Sequence, residues 1–234
     1  MQAFVLSGGF GSRLSSIIYG KPKALAPIAE KTFLEVSLHL LKRKGFDTFI
    51  LGVGYLADQI IDKFADGSDY DLNLKYSIEF LPLGTAGSVK HAEKFFQKNF
   101  FIFDGNNFLD ANFAKMLDFH KKRKAAVTIA VSKKPISLYK TKFTQKTKRV
   151  TEYGKEIKSR YVDTGYYIFG AQVLEKIPTD RKYSISADLL PTLIANNKKV
   201  VAFKTDSLFL SIRNEKLYKK TVKQFSKFLQ KNAY

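Results

Sequence analysis

A short apolar run at residues 3–6 passes directly into Ser7-Gly8-Gly9-Phe10-Gly11, and this junction constrains the fold more than any other stretch of the chain. Consecutive apolar residues bounded by glycines read as a fully buried strand, which needs cover on both of its faces. A buried strand that turns at once into a glycine loop and a polar Ser12-Arg13 opens an α/β arrangement. The pattern then repeats. Leu34, Leu38, Leu40 and Leu41 fall at helical spacing within residues 33–44, Gly45 ends that helix, and residues 48–53 form the next buried run. Further helices are predicted over 56–64, 86–96, 113–122, 185–195 and 215–229, and strands over 72–78, 100–103, 125–131, 161–169, 200–204 and 208–212. Such alternation predicts a doubly wound, mainly parallel sheet with helices on both faces.

Residues 133–160 break the alternation, with little periodicity and much lysine, and predict β-excursions or a mobile flap instead of a second core. Charge concentrates in the same place. Residues 121–160 hold fourteen Lys or Arg against Glu152 and Glu156, so about twelve charges of the formal net +19 lie there. Such a field attracts polyanions, whether nucleic acid, anionic lipid or phosphorylated sugar, and a plain solvated lysine-rich surface has the same composition. Other chemistry is excluded more firmly. The chain has no cysteine, so it has neither a disulfide framework nor a thiolate metal site, and His39, His91 and His120 lack carboxylate partners at ligand spacing. The opening apolar run is too short for a signal peptide or a membrane span, and the expected location is the cytoplasm.

Gly8, Gly9 and Gly11 let the backbone approach a bound group, and successive N–H groups in such a turn can cradle phosphate oxygens. The loop is not a P-loop, since no Gly-Lys-Ser/Thr follows, and Leu14 stands where a dinucleotide fingerprint has its third glycine. A tight turn with no ligand uses the same residues. Two cations weigh on the side of phosphate: Arg13 closes the loop, and Lys23 sits between Pro22 and Pro27 on a stiff segment. Nucleotidyl transfer needs such a pair, because a phosphate oxygen attacks the α-phosphorus of a nucleoside triphosphate while pyrophosphate leaves.

The run Leu6-Ser7-Gly8-Gly9-Phe10-Gly11-Ser12-Arg13-Leu14, followed by Pro22-Lys23, resembles the signature of the sugar-1-phosphate nucleotidyltransferases. Phe33-Leu34-Glu35 and Pro82-Leu83-Gly84-Thr85-Ala86-Gly87-Ser88 match later segments in the family's order. Gly54-Tyr55 and Tyr161-Val162-Asp163-Thr164-Gly165-Tyr166 make the chain most similar to the mannose-1-phosphate and D-glycero-D-manno-heptose-1-phosphate guanylyltransferase-like branch. The resemblance implies a Rossmann-like sheet of the GT-A-like type with a smaller β-rich C-terminal portion. It implies one domain over 1–234, with a nucleotide-binding core at 1–132 and a sugar-phosphate side with a closing helix at 133–234. It also implies nucleoside triphosphate and sugar 1-phosphate as substrates, weakly bound magnesium, and an activated sugar made for surface polysaccharide.

Carried over position by position, Arg13 and Lys23 are the implied catalytic cations, and Leu6, Ser7, Gly8, Gly9, Gly11 and Ser12 line the triphosphate. Pro82, Gly84 and Thr85 border the nucleoside, while Asp104, Lys155, Asp163 and Gly165 face the sugar phosphate. The pattern fails at the metal. Asn106 stands where the family places one magnesium aspartate, and Ser211 stands at the second, with Arg213 in place of a following glycine. Asp104 and Asn106 are then the implied metal residues. Three accounts stay open: Asp104 supplies the lost carboxylate, Arg213 replaces the charge of the metal, or the chain binds nucleotide or a partner without catalysis. The oligomeric state is also open, a homo-oligomer included.

Overall fold

The computed structural model describes residues 1–133 and 137–231; the side chains of Arg13, Ser15 and Lys231 lie outside the described residues. Strand β1 (Gln2–Leu6) runs parallel between β4 (Thr48–Val53) and β6 (Asn99–Asp104), and β4 pairs in parallel with β5 (Leu74–Ile78). Beyond β6 lies the antiparallel β11 (Val162–Gly170), then β8 (Val127–Ser132) and β12 (Val200–Lys204), which run parallel to each other. The opening apolar run is thereby explained. Ala3 and Val5 pack on one face with Phe49, Leu51, Phe101 and Phe103, while Phe4 packs on the other with Ile50 and Ile102.

Helices α2 (Phe33–Lys42), α3 (Ala57–Phe64) and α5 (Phe113–Lys122) cover the first face through Leu34, Leu38, Leu41, Ile60, Phe64, Phe113 and Met116. Helices α4 (Gly84–His91) and α6 (Leu190–Ala195) cover the second through Ala86, Val89, Leu190 and Leu193. The helix starts carry their own signals. Thr32 accepts from the Glu35 amide at the head of α2, and Asn112 accepts from the Lys115 amide at the head of α5. A third cluster seals the lower edge. There β7 (Asn107–Leu109) pairs antiparallel with β13 (Phe209–Ser211), the short α1 (Ser15–Ile18) follows the glycine loop, and α7 (Glu215–Lys231) brings Phe225 onto Phe108 with ring centroids 5.1 Å apart.

Several elements differ from the periodicity. Within residues 133–160, β9 (Lys140–Phe143) and β10 (Val150–Gly154) form an antiparallel hairpin that joins the large sheet where Lys140 pairs with Val162. Residues 134–136 of the basic region lie outside the described residues. The expected helix over 86–96 begins earlier, at Gly84, and stops at His91, and residues 93–95 follow as a separate, tighter turn in which the Phe95 amide donates to the Ala92 carbonyl at 3.0 Å. Residues 185–189 enter α6 through a π-helical turn. The strands Asn107–Leu109 and the small hairpin of β2 (Pro27–Ile28) with β3 (Lys31–Thr32) are too short to carry a period of their own. Among the described residues no helix is long and apolar enough to cross a membrane.

His120 is buried at the end of α5, where Nδ1 lies 2.8 Å from the Thr128 hydroxyl and Nε2 lies 3.2 Å from the Asn99 side-chain oxygen. Burial, with Lys121 nearby, lowers its pKa to about 4. The unfolded chain therefore takes up a proton near pH 6.5 that the folded chain refuses, so stability is complete above about pH 6.5 and drains away towards pH 4. The full span amounts to about 3 kcal/mol. Urea unfolding of the wild type and His120→Gln across pH 7.5 to 4.5 should show the variant less stable at neutral pH and markedly less sensitive to acid; equal slopes would contradict this.

Candidate active site

Because β1, β4 and β6 are parallel and adjacent, their C-terminal ends bring Leu6, Val53 and Asp104 to one edge of the sheet, the usual place for ligands in an open α/β sheet. The Ser7 amide donates to the Gly52 carbonyl at 2.8 Å and the Gly105 amide donates to the Leu6 carbonyl at 3.0 Å, so three strand ends are tied together. The glycine loop leaves from this knot. Gly11 has φ +69°, and a Cβ there would lie 2.9 Å from Ile18 Cδ1 and 3.1 Å from Lys23 Cβ. Glycine is required both for the turn and for contact with the segment that carries Lys23. Ser7 is buried, Gly9 and Ser12 are exposed, and Arg13 lies in the tight turn Ser12–Leu14 with its side chain outside the described residues.

Two clefts open on this edge. One, of about 450 Å³, is lined by Gly8, Phe10, Gly54, Tyr55, Glu79 and Pro82 among others. Phe10 and Tyr55 form an exposed ring pair there with centroids 5.2 Å apart, and burial raises the pKa of the Glu79 carboxyl. The second, of about 310 Å³, is lined by Leu6, Thr85, Asp104, Lys155, Asp163, Gly165, Tyr167 and Arg213 among others. Residues far apart in sequence thus meet in one cleft, Thr85 among them although it is expected beside the nucleoside. Gly84 and Thr85 form the first turn of α4, whose Ala86 and Gly87 amides donate to the Tyr183 carbonyl, and Thr85 Oγ1 accepts from the Ile185 amide at 2.8 Å. Thr85 therefore faces the second cleft.

Lys23 Nζ donates to the Arg213 carbonyl at 3.2 Å, which places the two cationic residues side by side. Lys155 Nζ lies over the Tyr139 ring, 5.4 Å from its centroid. Gly165, at φ +78°, comes so close to β6 that a Cβ would sit 2.8 Å from Asp104 Cβ. Asp104 itself is half-enclosed by donors. Its Oδ1 accepts from the Asn106 amide (3.0 Å) and Asn106 Nδ2 (2.7 Å), and its Oδ2 accepts from Asn107 Nδ2 (3.2 Å) and an Arg213 guanidinium nitrogen (3.4 Å).

These contacts test the fit to magnesium. A carboxylate offers about four acceptor positions, and Asp104 has four donors on it. Asn106, expected beside it as a metal residue, instead turns its amide onto Asp104. Ser211, at the second expected acid position, is buried and accepts from the Arg213 amide at 3.3 Å. The remaining side-chain oxygens, Oδ1 of Asn106 and of Asn107, are neutral, and among the described residues no group of three or more His, Cys, Asp or Glu could hold a metal ion. Magnesium requires hard oxygens in near-octahedral order, and these residues do not fit it.

Asp163 is buried beneath the second cleft, where it accepts from the Gly165 amide at 2.7 Å and from the hydroxyls of Tyr153 and Tyr167 at 2.5 and 2.6 Å. Burial pushes its carboxyl above the ordinary aspartate range, and pushes both tyrosines up as well. Its bonds lock β10 to β11 and so fix the cleft wall that carries Lys155. Neither tyrosine had a signal in the sequence, since each gains its role only from a carboxylate on another strand. Replacing Tyr153→Phe or Tyr167→Phe leaves a buried carboxylate short of a donor and should cost about 1 to 3 kcal/mol in urea unfolding at pH 7, with the double variant not additive. Two neutral replacements would show that the carboxylate is not held this way.

Comparison with known proteins fits this geometry. The sequence profile described as Nucleotidyl transferase matches residues 2–209. The chain is 30% identical to the D-glycero-alpha-D-manno-heptose 1-phosphate guanylyltransferase of Aneurinibacillus thermoaerophilus, across 98% of this chain and 100% of that protein. It is 28% identical to a UTP--glucose-1-phosphate uridylyltransferase of Synechocystis over 91% of this chain, but spans only 60% of that protein. Among solved structures, HddC from Yersinia pseudotuberculosis complexed with GMP-PN superposes with a TM-score of 0.83 at 24% identity, covering 96% of this chain and 99% of that one, and so shares the fold. With the profile running through most of the chain and a relative matched along its whole length, this protein belongs to the nucleotidyl transferase family.

Proposed function

We propose that this protein transfers a nucleoside monophosphate from a nucleoside triphosphate to a sugar 1-phosphate and releases pyrophosphate. The observation that carries the reading is the meeting of the glycine loop, Lys23, Asp104, Lys155 and Arg213 at the C-terminal edge of three parallel strands. In the reaction, an oxygen of the sugar phosphate forms a bond to the α-phosphorus. The bond from that phosphorus to the β-phosphate oxygen breaks, and pyrophosphate leaves with the electron pair. The protein's part is placement and charge.

The backbone from Gly8 to Gly11 lines the triphosphate, and Arg13 and Lys23 hold it while charge moves to the leaving group. The base and ribose occupy the cleft beside Gly8, Phe10, Tyr55 and Pro82, whose exposed rings suit a planar base. The sugar phosphate enters the second cleft beside Lys155, where Gly165 lets β11 close onto Asp104. The name of the relative matched along its whole length supports GTP and D-glycero-α-D-manno-heptose 1-phosphate as the first substrates to try. Mannose 1-phosphate as a further acceptor, and an activated sugar for surface polysaccharide made in the cytoplasm, belong to the same reading. One observation favours a second reading: the fully occupied Asp104 carboxylate suits a homologue that binds nucleotide without turnover.

Incubation with a panel of nucleoside triphosphates and sugar 1-phosphates, with and without divalent ions, should release pyrophosphate for at least one pairing. No release from folded protein would overturn the transferase reading and leave the second. For the active pairing, Lys23→Ala should lower kcat/KM by about 100-fold while the melting temperature stays near that of the wild type, since a fixed cation acting on transferred charge is worth a few kcal/mol. An unchanged kcat/KM would remove Lys23 from the site.

A further inference from the structure

The geometry points to Arg213, held by Asp104, as the fixed charge that stands where the resemblance implies a metal, so that the protein binds nucleoside triphosphate without a divalent ion. The inference rests on the reading of the chain as a nucleotide-binding transferase and says how that site meets the phosphates.

Charge balance is the first support. A divalent cation between two aspartates is neutral overall, and so is one guanidinium on one carboxylate. At the two expected acid positions the chain carries Asn106 and Ser211, and at the position expected to be glycine it carries Arg213. These three departures act together in space. Asn106 saturates Oδ1 of Asp104, Ser211 Oγ accepts from the Arg213 amide and so shapes the turn that presents Arg213, and the guanidinium reaches Oδ2 at 3.4 Å. The Ile212 amide also donates to the Asn106 carbonyl at 2.9 Å, fastening the two turns to each other.

Donor count is the second. A guanidinium has five N–H donors in a planar fork matched to phosphate oxygens, and the Asp104 contact engages one nitrogen. The Arg213 side chain is 28% exposed and lines the same cleft as Lys155, while Lys23 is fastened to its backbone carbonyl. Three cations thus converge where phosphates enter. With fixed cations already on the phosphates, magnesium would bring its own charge and shell of water against Arg213.

Calorimetric titration of the full chain with GTP, UTP, CTP, ATP and dTTP, once in EDTA and once in excess magnesium, tests this. The preferred nucleotide should bind in EDTA at least as tightly as in magnesium. Arg213→Gln should weaken binding in EDTA by about tenfold or more, and Arg213→Lys should recover part of the loss. Binding tenfold or more tighter in magnesium than in EDTA would overturn the inference while leaving the transferase reading intact. So would an Arg213→Gln variant that binds in EDTA as well as the wild type. If Arg213→Gln loses its cooperative unfolding transition, the wild-type comparison and Arg213→Lys decide alone. No binding of any nucleotide in either condition would overturn the inference together with the reading beneath it.

Discussion

The parallel pairing of β1 with β4 on one side and β6 on the other is the constraint from which the rest of the molecule follows. It buries the first strand on both faces, and it stacks three C-terminal strand ends at one edge. Parallel strands need crossover helices, so α2, α3, α4 and α5 must lie on the two faces, and the loops at the strand ends are left to build a site. The bonds from Ser7 to Gly52 and from Gly105 to Leu6 fix those loops against one another before any ligand is considered.

Around that edge, the β11 strand builds the second cleft by running antiparallel to β6 and continuing past its end. Beyond Asp104, β11 exchanges β6 for β9 as its neighbour, so the β9–β10 hairpin forms a wall above the strand ends. The wall is held from beneath by Asp163, whose two oxygens collect three donors from residues on β10 and β11. A buried carboxylate is costly unless it is satisfied, and here three donors offset that cost and fix the residues that face the cleft. Some cations of the basic region that stood out in composition make local contacts: Lys142 pairs with Glu152 at 2.5 Å, and the Arg123 guanidinium lies 4.0 Å from the Phe119 ring centroid.

Much of the fold was legible because buried strands and amphipathic helices write their periods over many residues. The strand Thr48–Val53 and the helix Phe113–Lys122 stand where the apolar spacing put them. The hairpin of β9 and β10 was legible only as β-excursions or a flap somewhere in 133–160, since each strand buries few side chains and is defined by its partner rather than its own pattern. The same holds for Asn107–Leu109, three residues whose strand state depends on Phe209–Ser211, a hundred residues later. At the site, the glycine loop and Lys23 could be read in sequence because turn geometry demands particular residues. Tyr153 and Tyr167 could not, because a tyrosine gives no hint of which carboxylate its hydroxyl will find.

The sequence by itself determined the alternation of buried strands and helices, the glycine turn after the first strand, and the absence of acid at positions 106 and 211. Those are local properties, set by side-chain period, by the φ a turn requires and by which residue occupies a place. Only the tertiary structure decided what surrounds the absent acids. Asp104 and Arg213 are 109 residues apart, and nothing in the neighbourhood of either foretells that one turn will lay a guanidinium on the other's carboxylate. That contact is made by two strand ends brought together through β7 and β13, and electrostatics acts through such distances in space, which the chain fixes only when it has folded.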